Sequence, residues 1–217
     1  MATTTTTTPI PTATSPSAGV AAAAPLPRIV AVGASLGGLE AVQKLLSGLP
    51  TRLPCPVAIV QHRGPQIDGH LLDLLNKHSV MPVLEPDDKD PLEDGHVYLA
   101  PPGYHLIVEK GYLSLSLDPP VLFARPSIDV LLESAADSYG AAAVAVVLTG
   151  SNDDGAFGAA AVKRAGGRVV VQDPATARAP AGPLAVLART AVDAILPIEG
   201  VAPHLVALCT PVPGATV

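Results

Sequence analysis

Three polar residues stand at the ends of three apolar runs, and together they could carry acyl-transfer chemistry. The run Ile29–Val32 leads into Gly33-Ala34-Ser35-Leu36-Gly37-Gly38. Pro56–Gln61 leads into His62, and Ala143–Leu148 leads into Thr149-Gly150-Ser151-Asn152-Asp153-Asp154-Gly155. A serine hydroxyl is a weak nucleophile until a base takes its proton. Histidine is the base suited to neutral pH, and an aspartate fixes the imidazole tautomer and stabilises the imidazolium. Ser35, His62 and Asp154 supply those types. Gly33 and Gly37 frame Ser35 in the G-x-S-x-G spacing that permits a sharp strand-to-helix turn. Gly37 and Gly38 would let amides at the start of the next helix approach a developing oxyanion, with a further amide near Ser151. Leu36, Gly37, Gly38 and Ser151 are therefore the candidate oxyanion and pocket residues.

Each residue alone has a plainer reading. Ser35 could be a helix N-cap, although Gly38 stands where a capping box has Glu or Gln. His62 could be a hydrogen-bonded strand-end residue, and Asp154 a cap for the helix that follows. The segment Gly33–Gly38 also superficially matches a dinucleotide fingerprint. Serine occupies the place of its second glycine, however, and the next strand ends in Gln61-His62 with no acidic ribose binder. No G-x-x-x-x-G-K-[ST] loop occurs. His62, His70 and His78 are evenly spaced, but only the last two would share a helix, and there is no H-E-x-x-H pair. No metal site is expected. His96, His105 and His204 read as surface residues or outer supports.

The three side chains converge only if the strands that end in them are neighbours. Helical spacing is clear over Leu36–Leu49, with Leu39, Val42, Leu46 and Leu49 on one face. Ile67–His78, Pro126–Tyr139, Ala156–Ala165, Leu184–Arg189 and Gly200–Leu208 also read as helices, the second of these starting with Pro in its first turn. Met81–Glu85, Arg168–Val171 and Ala194–Leu196 read as strands. His96–Ala100, His105–Glu109 and Tyr112–Leu117 read as short antiparallel strands, the last two joined at Lys110-Gly111. Most of these runs are too apolar for a half-exposed sheet. The expected class is α/β: a mostly parallel sheet with helices on both faces and an antiparallel hairpin insertion. Ligands of such sheets bind at the carboxyl ends of strands where strand order reverses.

Composition narrows the function further. The 217 residues can bury a real core. Aromatics are only 3%, so that core must be built from Ala, Val, Leu and Ile rather than from an aromatic platform. A net charge of −6 argues against a nucleic-acid footprint. No apolar run reaches the ~18 residues of a membrane span. Cys55 and Cys209 are too few for a disulfide framework or a four-thiolate zinc site, and read as reduced thiols of a cytoplasmic protein. Residues 1–27 carry no charged side chain and are rich in Thr, Pro and Ala, the composition of a disordered tail. Order is expected to begin at Arg28.

Several spaced motifs, in order, resemble the catalytic domain of CheB-type protein-glutamate methylesterases. They are Val32–Ala41, Val60-Gln61-His62, Gly95–Pro102, Arg125–Leu131, Val147–Gly150 with Asp154–Ala156, Gly166-Gly167 with Val171–Pro174, and Val192-Asp193 with Leu196-Pro197. The resemblance runs from about Arg28 to about Cys209, nearly everything outside the tail, and implies one catalytic domain over residues 28–209 with 210–217 a C-terminal tail. It implies a modified doubly wound fold, with Ser35 as nucleophile, His62 as general base and Asp154 as the orienting acid. It also implies hydrolysis of glutamyl methyl esters on the cytoplasmic helices of a chemoreceptor-like protein, with glutamine deamidation as a second reaction and no metal or organic cofactor. The departures cluster beside the expected pocket. Leu36 follows the nucleophile where the family commonly has Thr, Thr149-Gly150-Ser151-Asn152 replaces Thr-Gly-Met-Gly, and Ala181-Gly182-Pro183-Leu184 replaces Gly-Met-Pro-Arg. They motivate an alternative, a non-catalytic signalling module that uses the same face for binding, and they leave open an esterase with a different substrate. The family's usual N-terminal receiver domain has no counterpart in residues 1–27, so control by a separate regulator or kinase is expected.

Overall fold

A computed structural model describes residues 25–63 and 70–211. The expected tails lie almost wholly outside the described residues, as does the start of the helix expected from Ile67. In chain order the elements are β1 (Ile29–Ala34), α1 (Gly38–Ser47), β2 (Val57–Gln61), α2 (His70–His78), β3 (Val83–Leu84), β4 (Val97–Leu99), β5 (His105–Glu109) and β6 (Tyr112–Ser116). They continue with α3 (Ile128–Tyr139), β7 (Ala143–Val147), α4 (Ala156–Arg164), β8 (Arg168–Gln172), α5 (Ala181–Arg189), β9 (Ala194–Leu196) and α6 (Ile198–Cys209).

Seven strands form one sheet in the order β3-β4-β2-β1-β7-β8-β9. Every pairing within it is parallel. β1 and β2 are buried along their whole length, which is why their sequences are continuous apolar runs rather than alternating ones. Period-two geometry still divides the side chains. Val30, Val32 and Ala34 of β1 join a core with α1 and α6, while Ile29 and Ala31 join a second core with α3 and α4. Apolar burial on both faces, at about 25 cal/mol per Å², is the main stabilising contribution. The free thiols of Cys55 and Cys209 meet in the first core at 3.2 Å, tying the approach to β2 against the end of α6.

Two expectations need correction. Residues 97–99 are not an antiparallel strand: β4 lies between β2 and β3 and pairs with both in parallel. A strand of three residues is too short for its pattern to encode direction. Among the described residues, only strands β5 and β6 pair antiparallel, as a separate two-stranded sheet. Its Leu106, Val108 and Leu113 pack in the second core with Leu131 and Leu132 of α3. Pro126 is also not in the first turn of α3. Ser127 is the N-cap, in an extended conformation, and its hydroxyl accepts from the Val130 amide.

The strand order reverses at β1, with β2 on one side and β7 on the other. Ser35, His62 and Asp154 follow these three strands. The His62 amide donates to the Ala34 carbonyl and the Ser35 amide to the Thr149 carbonyl, so the pairing continues past the strand ends into the site.

Candidate active site

Ser35, His62 and Asp154 form one hydrogen-bonded line. Ser35 Oγ lies 3.1 Å from His62 Nδ1. His62 Nε2 lies 2.6 Å from Asp154 Oδ2. A carboxylate can only accept, so Nε2 carries the proton and Nδ1 has its lone pair free for the serine hydroxyl. The ring is therefore used the opposite way round from the serine-protease arrangement, in which Nε2 faces the nucleophile. The functional content is the same: the aspartate selects the tautomer that leaves a base facing the hydroxyl.

Asp154 is buried, and a buried carboxylate needs donors. The start of α3 provides them. Ser127 Oγ donates to Oδ1 at 2.8 Å, and the Ile128 and Asp129 amides donate to Oδ2 and Oδ1 at 2.8 and 2.9 Å. Burial by itself would push the Asp154 carboxyl up. The His62 hydrogen bond and the two amides outweigh it and hold the group below the usual carboxylate range. Asp154 is thus an acid that caps a neighbouring helix rather than its own.

Asp129 returns the exchange. Its Oδ1 accepts from the Gly155 and Gly158 amides at 2.9 and 2.7 Å, capping the start of α4. Burial raises its pKa to about 6 against those amides, and the Asp154 charge adds to the rise. His105 completes the support. Its Nδ1 accepts from the Ser127 amide at 3.2 Å and its Nε2 donates to the Pro119 carbonyl at 3.1 Å. This buried histidine is a support of the acid, one of the two roles expected for it.

Ser35 is held from both sides. Gln61, the last residue of β2, donates from one Nε2 to the carbonyls of Ser35 and His62, each at 3.0 Å. Turning the amide over would face an oxygen to two carbonyls, so this orientation is set by the contacts. On the other side the Thr149 hydroxyl donates to the Leu36 carbonyl at 2.8 Å, and Gln172 Oε1 accepts from the Thr149 amide at 2.9 Å.

The two framing glycines act for different reasons. Gly37 takes a left-handed φ of 80° as the N-cap of α1, and a Cβ there would lie 2.7 Å from Arg178 Cβ. Gly33 is a regular strand residue, not part of the turn. It is glycine because a Cβ would collide with Ile128 Cγ2, the side chain that beds α3 against β1.

Leu36, Gly37, Gly38 and Ser151 all line one cleft with Ser35, His62, Gln61 and Arg178, a space of about 600 Å³. The Gly38 amide is already bound to the Ser35 carbonyl at 2.8 Å. The amides of Leu36, Gly37 and Ser151 have no acceptor among the described residues. Leu36 and Gly37 stand at the positive end of α1, where an anion is favoured.

Comparisons with known proteins match most of the chain. The family model described as CheB methylesterase matches residues 30–205. The chain belongs to the CheB methylesterase family. A Leptospira interrogans protein named protein-glutamate methylesterase/protein-glutamine glutaminase is 41% identical over 174 residues, which are 80% of this chain and 90% of that protein. A Myxococcus xanthus protein of the same name is 42% identical over 187 residues, 84% of this chain but 54% of that protein. Among solved structures, the catalytic domain of Thermotoga maritima CheB methylesterase matches with a TM-score of 0.80 and 32% identity, covering 84% of this chain and 98% of that one. This CheB-family chain is an ester hydrolase of the protein-glutamate methylesterase type, on the fold expected from its strand–helix alternation. No described helix is long and apolar enough to cross a membrane.

Sequence reading missed the supporting roles of Gln61, Ser127, Ile128 and Asp129. The one local signal was the Ser-x-Asp start of α3, where a serine N-cap is followed by an acid in the first turn.

Proposed function

We propose that Ser35, His62 and Asp154 catalyse hydrolysis of glutamyl γ-methyl esters on the cytoplasmic helices of a chemoreceptor-like protein. The observation that carries this reading is the unbroken line from Ser35 Oγ through the imidazole to Asp154. Ser35 Oγ attacks the ester carbonyl while His62 Nδ1 takes its proton. The carbonyl electron pair moves to oxygen, where the amides of Leu36 and Gly37, with that of Ser151, hold the oxyanion. On collapse, Nδ1 returns its proton to the methoxide, methanol leaves, and a glutamyl–serine ester remains. Water then attacks this ester, losing a proton to Nδ1, and Ser35 leaves with that proton. The same steps on a glutamine side chain expel ammonia, the deamidation that the relatives' names carry. Asp154 stays ionised throughout and stabilises the imidazolium.

The proposed setting is the cytoplasm, where such receptor helices lie, with a separate regulator or kinase as the controlling partner. Methanol release from a methylated receptor fragment, wild type beside Ser35→Ala, tests the assignment. Wild type is expected to release methanol and Ser35→Ala to fall to background. A serine-reactive phosphonate separates the enzyme from a binding module: it should label Ser35 in the wild type, and a well-folded protein that resists labelling would be the binding module.

A further inference from the structure

A second cleft of about 540 Å³ shares His62 with the catalytic one and is roofed by a tight turn at residues 121–124. Val121 and Ala124 exchange both backbone hydrogen bonds, at 3.1 and 2.8 Å, across the two-residue tip Leu122-Phe123. Both tip residues are left-handed, with φ of 48° and 64°. Such tips are normally Gly, Asn or Asp, because a Cβ is strained there. Here the strained positions carry Leu and Phe, and neither is buried: Leu122 is 41% exposed and Phe123 fully so. The chain has only 2 Phe and no Trp. The other, Phe157, lies under the Arg189 guanidinium at 3.5 Å. Residues held in unfavourable backbone regions and exposed beside a reactive centre point to ligand contact rather than to folding.

The chemistry of the cleft selects its occupant. Each of its two arginines is engaged through one terminal nitrogen: Arg63 with Glu85 and the Ala100 carbonyl, Arg125 with the carbonyls of Leu117 and Asp118. Their Nε atoms and Asn152 Oδ1 are buried without a partner among the described residues, and the tip side of the cleft, Leu122, Phe123, Pro120 and Pro126, is apolar. The two clefts share His62, so a polypeptide delivering an esterified side chain to Ser35 can continue into the second one. We propose that the Leu122-Phe123 tip seats an apolar stretch of the substrate polypeptide next to the esterified residue, and so selects protein over small-ester substrates. This rests on the methylesterase reading above.

The test compares Phe123→Ser and Phe123→Gly in the full chain. Against a methylated receptor fragment, KM should rise by about tenfold or more in both, with kcat nearly unchanged, as for loss of an aromatic anchor. Phosphonate labelling of Ser35 should stay within about twofold of wild type, since the tip does not touch the reacting atoms. Phe123→Gly should keep or raise Tm, because glycine relieves the left-handed strain. An unchanged KM in both variants overturns the proposal and leaves the esterase reading intact. A fall in labelling and Tm together with the KM effect also overturns it, as a structural role. So does a wild-type dimer in sedimentation that Phe123→Ser abolishes, since a second copy would then be the occupant. If wild type releases no methanol, the esterase reading fails on its own. Binding of the fragment to Ser35→Ala, with and without Phe123→Ser, then decides the tip: equal dissociation constants overturn it.

Discussion

The junction behind Asp154 and the rim in front of Ser35 are built on opposite terms. Behind the acid, α3 and α4 exchange carboxylates: Asp154 caps α3 and Asp129 caps α4. Ile128, Ser127 and both acids are buried and hydrogen-bonded or packed on every side. At the rim, Leu36 is 54% exposed, and Ser151, Arg178 and the Leu122-Phe123 tip face solvent. The motifs that carry the family resemblance include the junction and the strand ends, while the departures at Leu36 and Ser151-Asn152 fall on the rim. The lesson is one of constraint. A triad needs its atoms within a fraction of an ångström of working geometry, and only a packed, fully bonded interior holds them there. A rim residue meets only what is brought to it.

The comparison breaks most severely at the triad. Ser35→Ala should lower kcat by about 10⁶-fold with little change in Tm, read by methanol release and thermal melting. Asp154→Asn should lower it by ~10⁴-fold, because the asparagine amide group favours the imidazole tautomer with Nδ1 protonated and no base toward Ser35. Unlike Ser35→Ala, it should also lower Tm, since one of the α3 amides loses its acceptor. A Tm equal to wild type would mean that the junction does not depend on the acid.

Gly33→Ala tests the junction through packing. The added methyl meets Ile128, and overpacking of this kind costs about 1–3 kcal/mol. The expected signature is a lower denaturant midpoint and a lower kcat, with a partial rescue by Ile128→Leu, which has no Cγ2. Gln61→Met removes the shared donor between Ser35 and His62. Losing it should reduce kcat by about 10-fold to 100-fold at nearly constant KM. A change confined to KM would place Gln61 on the rim side of the comparison.

Asp129 gives the junction a pH signature of definite sign. Its folded pKa of about 6 lies above the ordinary carboxylate value, so the folded state holds the proton more tightly than the unfolded. Stability should therefore fall as pH rises from about 4 to 6, by an amount on the order of 2 kcal/mol. Asp154 acts the other way: its depressed pKa adds stability above the unfolded carboxylate range, which is lost as pH falls through the folded value. Asp129→Asn keeps an oxygen for the Gly155 and Gly158 amides. It should flatten the slope between pH 4 and 6 in urea titrations, and an unaltered slope would remove Asp129 as its source. Smallest of all should be Leu36→Thr at the rim, with a KM change under about tenfold and unchanged Tm.

Much of the site was legible because apolar runs and their polar ends are written locally. The runs of β1, β2 and β7 are continuous since both faces are covered, and the residue after each is free to be polar. Ser35 and His62 are read off that way, and Asp154 from the loop before α4. The direction of β4 was not legible, because three residues between turns carry no such signal. Nor was the reason for Gly33, whose neighbour Ile128 is distant in the chain.

The sequence by itself determined the α/β class, the strand ends at which Ser35, His62 and Asp154 stand, and the family. Its periodicities are local, and local patterns fix which residues are buried and which end an element. Only the tertiary structure decided the rest: which imidazole nitrogen faces Ser35, that one Gln61 amide group bonds two chain segments, and that two helices cap each other with exchanged acids. Those facts are contacts between residues far apart in sequence. They arise because the order of strands in the sheet, which no local pattern encodes, brings the three loop ends to one edge.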